Sequence, residues 1–315
     1  MADKIIAVLG ATGAQGGGLV RAILNDKNGE FKARAITRDA NSEGAKALVK
    51  LGVEVAAANA DDEKSLEKAF AGAYGAFCVT FFWHHLSPEQ ELAQAANMAR
   101  AAKAARVQHV IWSTLEDTRK WVPLDDNRMP TIHDKYKVPH FDAKGEADDI
   151  FRKIDVPTTF LLTSFYWENF ILFGMEPKRD PDGVLAITMP MGDKKLSSIA
   201  AEDIGKAAYG IFKSGSKYIG KTVGIAGGHL SGKEFAAGMS KALGQEVRYN
   251  DVSPDVFRSF GFPGADDLGN MFQFKRDFND YYVGARSIEF TKQLNPELKS
   301  FEQWLEENKS RIPIK

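Results

Sequence analysis

Gly10, Gly13 and Gly16, set directly behind the apolar run Ile5 to Leu9, constrain this chain more than any other feature. A short run rich in β-branched residues reads as a central strand of a parallel sheet covered on both faces. Leu19, Val20, Ile23 and Leu24 then recur at helical spacing, so the glycines occupy a strand-to-helix turn. Gly10 permits the tight exit from the strand, Gly13 lets backbone N–H groups approach a pyrophosphate, and Gly16 lets the helix lie close to the strand. Phosphate would rest on the helix N-terminus, where unpaired N–H groups and the helix dipole favour an anion. The motif therefore predicts a dinucleotide site in a doubly wound α/β (Rossmann) fold.

The alternation continues. Phe31 to Thr37 reads as a second strand, followed by a helix over Ser42 to Leu51, a strand at Val53 to Ala58 and a helix from Glu63 to Ala71. In NAD sites an acidic residue usually ends the second strand and accepts hydrogen bonds from the adenosine ribose. Here the strand ends at Thr37-Arg38, and a guanidinium there can fork onto a 2′-phosphate, which points to NADP(H). The alternative is that Arg38 is a plain surface charge and Asp39 takes the ribose. Asp61 and Asp62 either contact adenine or cap the helix that follows.

A fourth strand, Gly75 to Thr80, leads into Phe81-Phe82-Trp83-His84-His85. Ligands of open α/β sheets bind beyond the carboxyl ends of the strands, which places Thr80, Phe81 and Phe82 beside the nicotinamide. The adjacent histidines point in different directions and have no third ligand nearby in sequence, so no metal is expected. A helix from Pro88 to about Ala105 precedes a strand at Gln108 to Ser113. The polar stretch Glu116 to Pro139 shows no period and is expected as a flap over the cleft, or as a plain surface excursion.

The length of 315 residues allows one large α/β unit with a smaller lobe: 1–155 as the dinucleotide-binding part, and 156–315 as further strands plus a smaller α/β lobe interleaved with the first. A net charge of -1 without a basic run argues against a nucleic-acid surface. The single cysteine, Cys78, forms no internal disulfide and sits in an apolar run, as a small core residue does. With no run near the ~20 apolar residues of a membrane span and no leader segment, a cytoplasmic location is expected.

His140 and Lys144, four apart on a helix opened by Pro139, share one face. There the chain resembles the short-chain dehydrogenase/reductase superfamily, with Ser113 and Lys144 at the positions of its catalytic Ser and Lys, and His140 in place of the tyrosine of Tyr-x-x-x-Lys. Gly10-Ala-Thr-Gly-Ala-Gln-Gly16, His140-Phe-Asp-Ala-Lys-Gly-Glu146, Ser164-Phe-Tyr-Trp-Glu-Asn-Phe170 and Gly-Phe-Pro-Gly-Ala265 together resemble the NmrA-like family of atypical short-chain dehydrogenases over nearly the whole chain. Members bind NADP(H); several are regulators that sense the nicotinamide pool, and related plant reductases are enzymes. The resemblance implies cofactor contacts from Gly10, Thr12, Gly13, Ala14, Gln15 and Gly16, a 2′-phosphate contact from Arg38, and contacts from Asp61, Asp62, Thr80, Phe81, Phe82, Lys144, Tyr166, Glu168 and Asn169.

Two functions follow as expectations. In one, NADPH or NADP shifts the conformation and hence the binding of a regulatory protein partner, with self-association open. In the other, NADPH reduces a small aromatic or apolar carbonyl, enone or quinone, with Ser113, His140 and Lys144 on the proton side. In the blander reading Lys144 only binds ribose and His140 caps or packs. The aromatics Phe272, Phe274, Phe278, Tyr281 and Tyr282 are read as core before cleft lining.

Overall fold

A computed structural model describes residues 4–314. The strands β1 (Lys4–Leu9), β2 (Phe31–Thr37), β3 (Glu54–Ala57), β4 (Gly75–Cys78), β5 (His109–Thr114) and β6 (Thr158–Leu162) alternate with helices α1 (Ala14–Asn25), α2 (Glu43–Lys50), α3 (Glu63–Phe70), α4 (Pro88–Ala104) and α5 (Pro139–Ile154). All their pairings are parallel. Short caps set the helix ends as the sequence suggests: the Ser42 side chain accepts from the Ala45 amide, and Asp62 accepts from those of Lys64 and Ser65.

The chain then leaves this sheet and returns to it. After β7 (Phe165–Tyr166), α6 (Asn169–Leu172), β8 (Lys178–Arg179), β9 (Leu185–Met189), β10 (Leu196–Ile199) and α7 (Ala201–Lys213), β11 (Thr222–Gly224) pairs in parallel with β6 and completes a seven-stranded sheet of order β11-β6-β5-β4-β1-β2-β3. The order reverses between β1 and β4, so the carboxyl ends there open a crevice.

The smaller lobe adds β12 (Gly228–Leu230), α8 (Gly232–Leu243), β13 (Val247–Asp251), α9 (Pro254–Arg258), α10 (Ala265–Asp277), α11 (Asn279–Gly284), α12 (Ile288–Leu294) and α13 (Phe301–Asn308). Two three-stranded sheets, β12-β10-β7 and β13-β9-β8, serve it. Three apolar clusters hold the molecule: one on each face of the large sheet, and an aromatic-rich third in the lobe around Trp167, Phe235, Phe272 and Trp304. Phe272, Phe274 and Tyr282 belong to that third core.

The 116–139 stretch is not a flap. Val122, Met129 and Val138 are buried in the lobe core. Its backbone is tied down by Lys137 Nζ, which donates to the carbonyls of Asp126 and Met129 at 2.8 Å, and by the Asn270 amide, which donates to Pro130 and Lys137. Irregular backbone survives inside the fold here because side chains satisfy its carbonyls.

Candidate functional site

The turn between β1 and α1 has the shape an anion requires. Gly10 takes φ +63°, and a Cβ on Gly16 would lie 2.5 Å from the Gly10 carbonyl oxygen and 2.6 Å from that of Leu9. Only glycine brings α1 this close to the strand. Gly13 occupies the N-cap of α1 with no side-chain cap, and the first turn carries no acidic residue, so its amides are free for a phosphate.

From this turn a cleft of about 670 Å³ runs over the carboxyl edge of the sheet, between the sheet and the lobe. Gly10, Gly13, Ala14, Gln15 and Gly16 line its entrance, Thr80, Phe81 and Phe82 one wall, and Ser113, His140, Lys144, Tyr166 and Asn169 the interior. Thirteen of the expected residues thus meet in one cavity. Thr12, Arg38, Asp61, Asp62 and Glu168 lie outside it.

The outer residues have identifiable partners. Arg38 is exposed at the end of β2 with its guanidinium 3.3 Å from His84 Nε2, while Asp39 turns back to accept from the Asn41 amide. That frees the end of β2 for a cation rather than a carboxylate. Asp61 is held by the amides of Gln90 and Gln94. Glu168 accepts from the Ala201 amide and from Trp304 Nε1, so it fastens the start of α7 to α13.

Inside the cleft the polar side chains nearest the dinucleotide turn are linked to one another. Ser113 Oγ donates to Gln15 Oε1 at 2.8 Å, and the Gln15 amide nitrogen in turn donates to Tyr166 Oη, linking β5, α1 and β7. Lys144 Nζ donates at 2.5 Å to both Thr80 Oγ1 and Glu91 Oε1, and Thr80 Oγ1 also donates to Glu91. Glu91, from the first turn of α4, is fully buried. Burial opposes its ionisation, but the Lys144 ammonium and hydrogen bonds from His85, Lys144 and Thr80 outweigh it and bring the carboxyl down to about 2. The Ser87 amide donates to His85 Nδ1, which leaves the His85 proton on Nε2, 3.4 Å from Glu91 Oε2.

His140 lies at the start of α5 with its ring against Trp83, centroids 4.8 Å apart. Its Nδ1 is 2.6 Å from Asp267 Oδ1, and its backbone amide donates to the other oxygen of the same carboxylate. A carboxylate beside Nδ1 keeps a proton there and turns Nε2 toward the cleft, the arrangement of an oriented acid–base imidazole.

Glu91 and Asp267 are the residues a reading of the sequence passes over. Each is an acidic residue in the first turn of a helix, where it complements the dipole without further purpose. Only the fold sets Glu91 against a lysine 53 positions away and Asp267 against a histidine 127 positions away.

A parallel sheet with a glycine turn at its switch point, an uncapped helix N-terminus and a cleft continuing past it defines a Rossmann-type dinucleotide-binding protein. The family model "NmrA-like family" matches residues 2–305, and the chain belongs to that family. It is 28% identical over 306 residues to the NmrA-like family domain-containing oxidoreductase FrzB of Cladobotryum sp, covering 90% of this chain and 88% of the relative. An NmrA-like family domain-containing protein of Dictyostelium discoideum is 26% identical over 314 residues, covering 96% and 97%. Among solved structures, NmrA, a negative transcriptional regulator, in complex with NADP superposes with a TM-score of 0.79 at 25% identity over 98% of this chain and 95% of that one. The triphenylmethane reductase of Citrobacter sp. complexed with NADP(H) shares the fold, with a TM-score of 0.74 at 21% identity over 96% and 99% of the two chains. Among the described residues no helix is long and apolar enough to cross a membrane, and no group of three metal-ligating side chains occurs.

Proposed function

We propose that this protein binds NADP(H) and uses it to reduce a small aromatic or apolar carbonyl, enone or quinone. The observation that carries this reading is the His140–Asp267 pair: an imidazole oriented by a buried carboxylate and facing an apolar cleft beyond the dinucleotide turn. The residues fit the cofactor. The free amides of α1 suit the pyrophosphate, Arg38 suits a 2′-phosphate, and Lys144 and Asn169 line the part of the cleft a nicotinamide riboside would reach.

When bound, NADPH supplies a hydride to the electrophilic carbon of the substrate. The oxygen left with the electron pair takes its proton from His140 Nε2, whose ring Asp267 holds in place, and the imidazole recovers a proton from solvent. Lys144, fixed by Glu91 and Thr80, places one positive charge beside the developing negative charge and orients ribose hydroxyls. Phe82 and Trp83 offer flat apolar surface for an aromatic ring.

A sensor reading is favoured by a different observation. Phe81, Leu86, Phe173 and Phe262 border the cleft yet are 39% to 55% exposed, an apolar rim that a protein partner would cover. Cofactor occupancy would regulate such a partner only through differential affinity for two conformations.

NADPH oxidation against quinones, enones and aromatic aldehydes, with NADPH binding measured in the same sample, separates the two. Turnover lost in His140→Asn and Lys144→Ala is the expected result. Tight binding with no turnover across the panel would overturn the reductase and favour the sensor.

A further inference from the structure

Lys275, on α10, sits at the floor of the cleft and is 2% exposed. Among the described residues its Nζ has one close polar partner, the thioether sulfur of Met271 at 3.2 Å, a weak acceptor. Otherwise it faces the rings of Phe141, Tyr282, Phe272 and Phe165, with centroids 5.3 to 5.9 Å away. Tyr282, fully buried in the same wall, has a hydroxyl with no hydrogen-bond partner among the described residues. Two donors are thus buried against the cleft without the oxygen acceptor each normally finds.

The other ionic groups here are already matched. Lys144 is paired with Glu91, His140 with Asp267, and behind Lys275 the Arg286 guanidinium makes a bidentate pair with Glu116 at 2.7 and 3.0 Å. Lys275 alone lacks a carboxylate among them. Burial, aided by the charge of Arg286 and opposed by Glu116, lowers its ammonium to about 7. An amine so poised takes up a proton when an anion arrives beside it.

The geometry points to Lys275 as a ligand anchor: the cleft takes a planar aromatic molecule bearing one anionic oxygen, and that oxygen is received by Lys275 Nζ with Tyr282 Oη as second donor. This rests on the reading that a small aromatic molecule occupies the cleft, and it names the class. The aromatic wall stacks the ring, and the ammonium of Lys275 selects the oxygen over an uncharged analogue.

The test uses protein loaded with NADP+, so that nothing is reduced, and compares lawsone, a naphthoquinone whose acidic enol is ionised at neutral pH, with unsubstituted para-naphthoquinone. Cys78 is buried and does not compete for quinone. Calorimetry should give at least tenfold tighter binding of lawsone. Lys275→Met should erase that preference while keeping naphthoquinone and NADP+ affinity, and Lys275→Arg should retain it. In the unaltered protein lawsone affinity should fall as pH rises above about 7, while naphthoquinone affinity stays flat; this arm needs no variant to fold. The charged and titratable groups that face Nζ are Arg286, Glu116, Tyr282 and, across the cleft, His140 and Lys144. Because the His140 imidazole faces the same cleft, the same pH series in His140→Asn must keep the lawsone dependence. Equal affinity for both quinones, or a preference that survives Lys275→Met, overturns the anchor and leaves the cleft reading standing. Failure of both quinones to bind protein that holds NADP+ overturns both.

Discussion

A buried ion pair at a site costs desolvation that its own attraction repays only with further hydrogen bonds, and in the Lys144–Glu91–Thr80 cluster both Lys144 Nζ and Thr80 Oγ1 donate to Glu91 Oε1. Removing the charge of Glu91 leaves an unmatched ammonium in a buried pocket. Glu91→Gln should therefore cost about 3 kcal/mol in urea unfolding and weaken NADPH binding as Lys144 shifts. The pH dependence has a definite sign. Because the folded carboxyl lies below the ordinary glutamate value of about 4.3, its contribution is present above that pH and is lost as pH falls toward about 2. The slope of stability between those limits should flatten in Glu91→Gln. At His140 the contrast is functional: Asp267→Asn should lower turnover about 100-fold with NADPH affinity retained, since an amide no longer holds the proton on Nδ1. The positions of Lys144, His140, Ser113 and the glycine turn were legible because their spacing along one strand or helix is what places them. Glu91, Asp267 and Lys275 were not, because their partners lie on other elements.

At the scale of elements, periodicity predicted most of the large sheet and its helices to within a residue or two, with Ser42 marking a helix start as its side chain does in the structure. It failed where burial and polarity conflict. In β10, Ser197 and Ser198 are fully buried between Leu196 and Ile199, so no alternation signals the strand. Tertiary contact also explains glycines that propensity would reject. Gly205, in the middle of α7, faces α1 so closely that a Cβ would lie 2.1 Å from the Leu19 amide nitrogen. Gly205→Ala should cost about 1 to 3 kcal/mol by thermal unfolding while leaving the cleft's polar side chains untouched. On α5, Asp148 accepts from Thr114 Oγ1 at 2.6 Å, but burial outweighs this and raises its carboxyl to about 7. The folded state therefore holds this proton where the unfolded state has lost it, and stability falls as pH rises from about 4 to about 7. Asp148→Asn should remove that decline, read as melting temperature across the same window.

Over the whole molecule, a fully buried side chain joins sheet and lobe. Arg286, just beyond α11 and fully buried, donates through Nε to the Thr163 carbonyl behind β6 and through both terminal nitrogens to Glu116 behind β5. The cleft lies across the same junction, since Gln15 belongs to α1 while Tyr166 and Asn169 come from the chain leaving the sheet. A cofactor spanning both parts and the Arg286 staple thus favour the same closed arrangement, and each should offset loss of the other. Glu116→Gln strands a guanidinium in the interior and should cost about 3 to 5 kcal/mol. A ligand at about 100 times its dissociation constant adds about 2.7 kcal/mol to a folded state that alone binds it. NADPH should therefore raise the melting temperature of Glu116→Gln and merge a transition broadened by separate opening of the lobe. If the variant unfolds in one sharp step at the same temperature with and without NADPH, sheet and lobe are not coupled through this junction.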